Sequence, residues 1–388
     1  MKVVILGFGA VGSVVARLLA KEKSVDKIIC GDINFKYKIN NKKIFFKKAN
    51  ILDKKGFLSF LNKIKPDLVI NTSLPGFNEN IMDGCLKAGV NYFDTCSYWD
   101  LDENPKARIP YKMEQLDFNN DFKKKGIAGL INAGVSPGLT NLIAKECASR
   151  LDSVDFMKIR LVEDTGSREI FFSWNKDWLL DEIATLPLVY YNKKFKLEEP
   201  FLGEEEFNFP PPIGKRKVYY FCQDEVGTLP LYIKMKNLDV KAFDNNIDVS
   251  KLLVKLGLTS EKKIDFKNFK ISPVQFLSAI LPDSPPGTEK KFKESVFAFS
   301  VEATGKSKGK KKILKYSVIF PRQKDIEKLN LNANFISYPT ALSVKLFAMA
   351  FLDIQRKGVF PPEAIEDSVR KGILRELENS PVKIVKNF

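Results

Sequence analysis

Apolar positions in the first 130 residues alternate between two periods. Short continuous runs, Lys2-Val3-Val4-Ile5-Leu6, Lys27-Ile28-Ile29-Cys30-Gly31 and Asp67-Leu68-Val69-Ile70, predict strands buried on both faces. Between them, Val14 to Ala20, Lys55 to Ile64 and Asn78 to Ala88 carry apolar residues at helical spacing. Strand-like segments at Lys43 to Phe46, Asn91 to Asp94 and Ile127 to Ile131, with a helix near Met113 to Lys125, continue the alternation. Strand and helix in turn predict a doubly wound parallel sheet of six strands. From about Ser153 the pattern becomes alternating and aromatic, as in Phe156 to Leu161 and Val218 to Phe221, with proline at Pro200, Pro210 to Pro212 and Pro285-Pro286. That predicts a second, α+β unit with a mostly antiparallel sheet. Within it, Val296 to Ala303 and Ile313 to Phe320 flank the run Lys306-Ser307-Lys308-Gly309-Lys310-Lys311-Lys312, which reads as a hairpin with a lysine-rich tip. The chain closes with an apolar helix (Thr340 to Ile354), a turn at Lys357 to Pro362 and a polar helix near Glu363 to Glu378.

Ligands of a doubly wound sheet bind beyond the carboxyl ends of its strands. The first such end is Gly7-Phe8-Gly9-Ala10-Val11-Gly12, a GxGxxG pattern between a strand and a helix, with Asp32 closing the next strand twenty residues after Gly12. Gly7 permits the tight turn, Gly9 lets the backbone approach a pyrophosphate, and Gly12 lets the helix pack on the strand. The helix N-terminus at Ala10 and Val11 offers unpaired N–H groups. Asp32, followed by Ile33, is placed to bind an adenosine ribose, which favours NAD. Lys36 and Lys38 just beyond leave NADP open. The other ends supply Asn50 and Ile51, Asn71, Thr72 and Ser73, Thr95 and Cys96, and Val135 as further candidate cofactor contacts.

Composition narrows the chemistry. The 388 residues contain no histidine, which rules out Ser-His-Asp and Cys-His catalysis and histidine-ligated metals. Hydride transfer tolerates this, because the cofactor carries the difficult chemistry. Five scattered cysteines without a CxxC argue against a disulfide framework and a zinc site, and predict a cytoplasmic setting. The N-terminal apolar run is already a strand and lacks a cleavage-site pattern, so no signal peptide is expected. No apolar run of about 18 residues exists, so no bilayer span is expected either. The net charge of +16 raises nucleic acid as a partner, but charge alone supports it, and a solvated hairpin tip is the simpler reading of the lysine run.

These residues resemble the saccharopine dehydrogenase family in its short, reductase-like form, which includes lysine 6-dehydrogenase-like and carboxynorspermidine dehydrogenase-like enzymes. The likeness rests on GFGAVG, DLVINTSLP, GVNYFDTCSY, NAGVSPGLTNLIA, FFSWN, DEVGTLP, the lysine-tipped hairpin, and Tyr338-Pro339-Thr340-Ala341 with Lys357 to Glu363. It implies NAD(P)-linked hydride transfer at a C–N bond of an amino acid or polyamine-related substrate, and a homodimer formed through the second sheet. It also implies residues 1–133 as the dinucleotide-binding domain, 134–336 as the substrate and dimerisation domain, and 337–388 as helices returning to the first. By the same resemblance Ser97-Tyr98 stands near the substrate, with Tyr98 as the proton-handling residue; a buried aromatic is its alternative. Ser136 stands where saccharopine reductases carry aspartate, which weakens saccharopine itself as substrate. Arg168 is a candidate clamp for a substrate carboxylate, or a surface ion pair. Trp174 is a candidate pocket wall, or a core residue. Cys96 reads as packing, not as a nucleophile. The alternative to an enzyme is a protein that senses NAD(H) without turnover, kept open by the serine at position 136.

Overall fold

A computed structural model describes residues 1–35, 37–97, 113–167, 169, 176–281 and 291–388. Its first part runs β1 (Lys2–Leu6), α1 (Ala10–Ala20), β2 (Lys27–Asp32), β3 (Ile44–Lys48), α2 (Lys54–Ile64), β4 (Leu68–Asn71), α3 (Asn78–Ala88), β5 (Asn91–Asp94), α4 (Asn119–Lys125), β6 (Ala128–Leu130) and α5 (Leu139–Ala148). The second part runs β7 (Ser153–Asp164), α6 (Lys176–Ala184), β8 (Leu188–Tyr191), β9 (Lys194–Leu197), β10 (Glu205–Phe209), β11 (Gly214–Tyr220), α7 (Glu225–Tyr232) and β12 (Met235–Asp244). It continues with α8 (Ile247–Lys255), β13 (Ile264–Phe266), β14 (Phe269–Ile271), α9 (Pro273–Ile280), β15 (Val296–Ser307), β16 (Lys310–Ile319) and α10 (Gln323–Glu327). The chain ends in α11 (Ser337–Ala350), β17 (Gly358–Phe360), α12 (Asp367–Glu378) and β18 (Lys383–Asn387).

Among the described residues, the first sheet has seven parallel strands in the order β17-β6-β5-β4-β1-β2-β3. Strand order reverses at β1, next to β4, so α1 begins at the crevice where a doubly wound sheet takes its ligand. The central strands are buried throughout, which is why they read as unbroken apolar runs. Helix α11 packs on α1 and covers one face. The second sheet follows β10-β11-β12-β7-β15-β16-β18, with β8 on β12. Its β7–β12 pair is parallel and the others are antiparallel. One apolar core runs from Val4 and Ile70 of the first sheet through Leu142 of α5 to Phe299 and Val301 of the second.

Three local expectations change. Residues 357–362, expected as a turn, contain β17, which pairs with β6 from Gly358–Ala128 to Phe360–Leu130. Gly358 is needed there: its φ is +95°, and a Cβ would lie 2.2 Å from Asn119 Oδ1, the acceptor of the Val359 N–H. The chain also does not end in a helix, since β18 extends the second sheet along β16. Finally, the hairpin strands reach further than their apolar alternation. Only Lys308 and Gly309 form the turn, both at positive φ as a type I′ hairpin turn requires, and the remaining lysines of the run lie on the strands.

Candidate active site

The glycine-rich turn has the shape its sequence asks for. Gly7 has φ +86°, and a Cβ on it would stand 2.6 Å from the Ser73 nitrogen. A Cβ on Gly12 would stand 2.0 Å from Gly7 O and 2.5 Å from Thr72 Oγ1, so this helix residue touches the turn backbone directly. At Gly9 a Cβ would meet nothing within 4 Å; this glycine faces open space at the mouth of α1. The first hydrogen bond of α1 joins Ser13 N–H to Gly9 O at 3.2 Å. The N–H groups of Ala10, Val11 and Gly12 precede it and carry the positive end of the helix dipole. An open cradle of glycine backbone before a helix N-terminus fits a dinucleotide pyrophosphate.

Asp32 ends β2 beside this turn. Its Oδ2 accepts the Phe8 N–H at 2.7 Å and its Oδ1 accepts the Asn34 N–H at 3.2 Å. Both oxygens keep lone pairs for a ribose hydroxyl. Ile33 is 67% exposed next to it, and Phe8 packs edge-on to Phe46 at 5.0 Å, which fixes the turn against β3. Asn50 caps its own turn by accepting the Leu52 N–H, and Ile51 packs on the core. Asn71, Thr72 and Ser73 brace the turn from beneath. Asn71 donates to Asn78 Oδ1 at 2.7 Å and accepts from Ser73 Oγ at 2.6 Å, while Thr72 donates to Gly7 O at 2.8 Å. Their side chains are thus engaged within the protein.

At the ends of β5 and β6, Thr95 and Cys96 are half-buried and Val135 is buried. Burial, with Asp224 and Asp94 nearby, pushes the Cys96 thiol upward, against a nucleophilic role. Ser97 departs from the expectation of a substrate-facing hydroxyl. It is 2% exposed, and its Oγ lies 2.7 Å from Asn132 Oδ1 and 2.8 Å from Gln115 Oε1. Its N–H reaches Asp224 Oδ2 at 2.8 Å, tying the first sheet to the segment before α7. Beneath it, Asp94 accepts from Asn132 N–H at 2.7 Å, and burial lifts its carboxyl to about 7. Ser136, in the loop leading into α5, is half-buried and donates to Glu225 Oε1 at 2.5 Å. Tyr98, Arg168 and Trp174 lie outside the described residues, as does Lys36.

The structure adds a group of carboxyls that the sequence reading did not single out. Glu163 and Asp244 end the parallel strands β7 and β12 and are register partners. Glu182 of α6 lies within electrostatic reach of Glu163 and of Asp224, and Gln223 donates to it at 2.8 Å. Burial, then the neighbouring acids, raise Glu163 well above the usual carboxylate range and Glu182 to about 8. Asp224 also lies within electrostatic reach of Cys96 and accepts the Ser97 N–H, so this acidic cluster reaches the strand ends of the first sheet. The one signal available in sequence was the segment DEVGTLP, which contains Asp224 and Glu225.

Two family models match the chain: the saccharopine dehydrogenase NADP binding domain over residues 3–130, and the saccharopine dehydrogenase C-terminal domain over residues 134–382. Carboxynorspermidine synthase of Vibrio cholerae is 28% identical over 308 residues, covering 73% of each chain. Carboxyaminopropylagmatine dehydrogenase of Synechocystis is 27% identical over 295 residues, covering 73% of this chain and 72% of its own. Among solved structures, saccharopine dehydrogenase (L-Glu forming) of Saccharomyces cerevisiae superposes with a TM-score of 0.69 at 11% identity, each chain covered in full. Homospermidine synthase of Legionella pneumophila, solved with NAD, gives a TM-score of 0.69 at 12% identity, covering 100% of this chain and 91% of its own. At these identities both structures speak for the fold.

Proposed function

The chain belongs to the saccharopine dehydrogenase family, and from that membership we propose that it couples a di- or polyamine to a carbonyl compound by reducing their imine with NADH, or runs the reverse. It is an NAD(P)-dependent oxidoreductase acting at a C–N bond. The observation that carries the amine half of the proposal is the cluster of Glu163, Asp244, Glu182 and Asp224. Clustered carboxyls are costly to ionise together, and a bound ammonium group relieves that cost. The curated relatives, named for carboxynorspermidine and carboxyaminopropylagmatine, support the same reading.

The bound nicotinamide cofactor supplies the hydride that the substrate carbon gains or loses. The residues have separate tasks. Gly7, Gly9, Ala10, Val11 and Gly12 hold the pyrophosphate, and Asp32 binds the ribose, which favours NAD over NADP. Thr95, Cys96, Val135 and Ser136 form the floor at the reacting end, and the acidic cluster orients the amine. Tyr98 remains our proposed proton-handling residue, and Arg168 and Trp174 our proposed substrate contacts. The same reading makes the protein a cytoplasmic homodimer, with residues 1–133 binding the cofactor, 134–336 the substrate, and 337–388 returning to the first domain. No helix among the described residues is long and apolar enough to cross a membrane.

The test follows nicotinamide absorbance with NAD(H) and NADP(H) separately. The reductive panel holds diamines with aldehydes; the oxidative panel holds carboxylated polyamines, saccharopine and L-lysine. We expect NADH consumption with a diamine and an aldehyde, and little with lysine or saccharopine. Turnover confined to saccharopine or lysine overturns the amine assignment. Tight NADH binding without turnover on any member moves the substrate outside this class.

A further inference from the structure

Making an imine from an amine and a carbonyl compound requires the loss of water, and that step needs a proton donor in a chain without histidine. From the geometry around Ser136 we infer that the buried carboxyl of Glu225 is the proton reservoir for this step and that the Ser136 hydroxyl carries the proton to the substrate. The inference rests on the reading that the Ser136 loop faces the reacting carbon.

Two hydroxyls converge on one oxygen of Glu225: Ser136 Oγ at 2.5 Å and Thr140 Oγ1 at 2.7 Å. Thr140 and Glu225 are both 0% exposed, whereas Ser136 is half-buried at the open end of its loop. Ser136 therefore links the enclosed acid to the open side. The titratable groups facing Glu225 are Glu363, from the segment after β17, Glu182 of α6, and Cys222; Asp224 precedes it in the chain. None of these is a cation, and burial pushes the Glu225 carboxyl upward, towards the protonated form. Glu363 is separately held by Asn141 Nδ2 at 3.1 Å, so the buried first turn of α5 grips both acids.

The proton count closes on the relay. The amine nitrogen attacks the carbonyl carbon and forms a C–N bond, and the one proton the nitrogen sheds passes to the carbonyl oxygen, which becomes a hydroxyl. The C–O bond then breaks as the nitrogen lone pair forms the C=N bond. The departing hydroxyl takes the Ser136 proton and leaves as water, and Glu225 reprotonates Ser136. Glu225 is left as a carboxylate beside the cationic imine and takes back one proton from solvent, the proton that the overall reduction consumes. The established activity then delivers hydride to the C=N carbon, with no further oxidant or reductant.

Glu225 acts through Ser136 and is a positioning and proton-supplying residue, so its test must separate a proton from a brace. Glu225→Gln keeps an acceptor for both hydroxyls and removes the proton. We expect unchanged NADH affinity, a reductive kcat lowered about 100-fold or more, and loss of the alkaline fall in rate that marks Glu225 deprotonation. Glu225→Asp should restore part of the rate and the alkaline fall. An unchanged pH profile in Glu225→Gln overturns the relay. Ser136→Ala isolates the underlying reading. Full turnover in that variant means the loop does not face the reacting carbon, and both ideas fall. Slow turnover in Ser136→Ala beside a normal Glu225→Gln removes the relay alone. An infrared readout on the wild-type chain needs neither turnover nor a folded Glu225 variant. A protonated-carboxyl band shifted by Ser136→Ala supports the relay, and the absence of any such shift at every pH where the chain stays folded overturns it.

Discussion

Asp32 holds the Phe8 N–H of the glycine-rich turn with one carboxylate oxygen while retaining lone pairs for a ligand. Its replacement removes charge-assisted hydrogen bonds worth about 1.5–3 kcal/mol. Asp32→Ala should therefore weaken NADH binding about 10- to 100-fold and narrow the preference over NADPH; unchanged affinity by fluorescence titration contradicts the ribose role. Glu363 makes a different statement at the same scale. It is buried, and burial lifts its carboxyl from 4.5 to about 7. An acid whose folded pKa lies above its unfolded one holds its proton longer in the native state. Stability is then lost as pH rises from about 4.5 through about 7, by up to about 3 kcal/mol for a shift of this size. Asp94 and Glu182 are shifted in the same direction. Denaturant unfolding at pH 5.5 and 8.5 should show the wild type losing stability at the higher pH and Glu363→Gln losing less. Equal losses contradict the assignment.

The elements divide by length. The long apolar runs and amphipathic helices of the first sheet were legible because strand and helix periods repeat over several residues, as in α3, expected and found at Asn78 to Ala88. β17 was not, since three residues bracketed by Gly358 and Pro361 carry turn signals and no period. β18 was missed because Lys383–Asn387 is mostly exposed, an edge strand whose partner β16 lies far away in sequence. Edge strands are specified by the backbone they complete more than by their own side chains. Deleting residues 383–388 should cost about 2–4 kcal/mol, at roughly 1 kcal/mol net per ladder hydrogen bond lost, and leave β16 as an open edge. Thermal melting and light scattering check this; an unaltered melt and a monodisperse sample contradict it.

At the scale of the whole molecule, the two sheets share a single apolar core and are stitched by Ser97–Asp224 and Asn141–Glu363. The last fifty residues tie them further, with β17 in the first sheet and β18 in the second. A cofactor held by the first sheet alone should therefore stabilise both. NAD at a hundredfold excess over its Kd adds about 2.7 kcal/mol to the native state. We expect one calorimetric transition that moves upward as a unit; two transitions of which only one moves contradict the coupling.

The amino-acid sequence by itself determined the doubly wound sheet, the family and the dinucleotide turn. Each depends on contiguous residues: an apolar run long enough to be buried, three glycines at fixed spacing, an acid at the end of the next strand. Only the tertiary structure decided which polar residues meet. Ser136 and Glu225 are 89 residues apart and bonded, and Asn141 and Glu363 are 222 apart. It also turned Ser97 inward and gathered Glu163, Asp244 and Glu182 into one cluster. Such meetings follow from strand register and helix packing across the whole chain, and their electrostatics follow from burial, which no local pattern records.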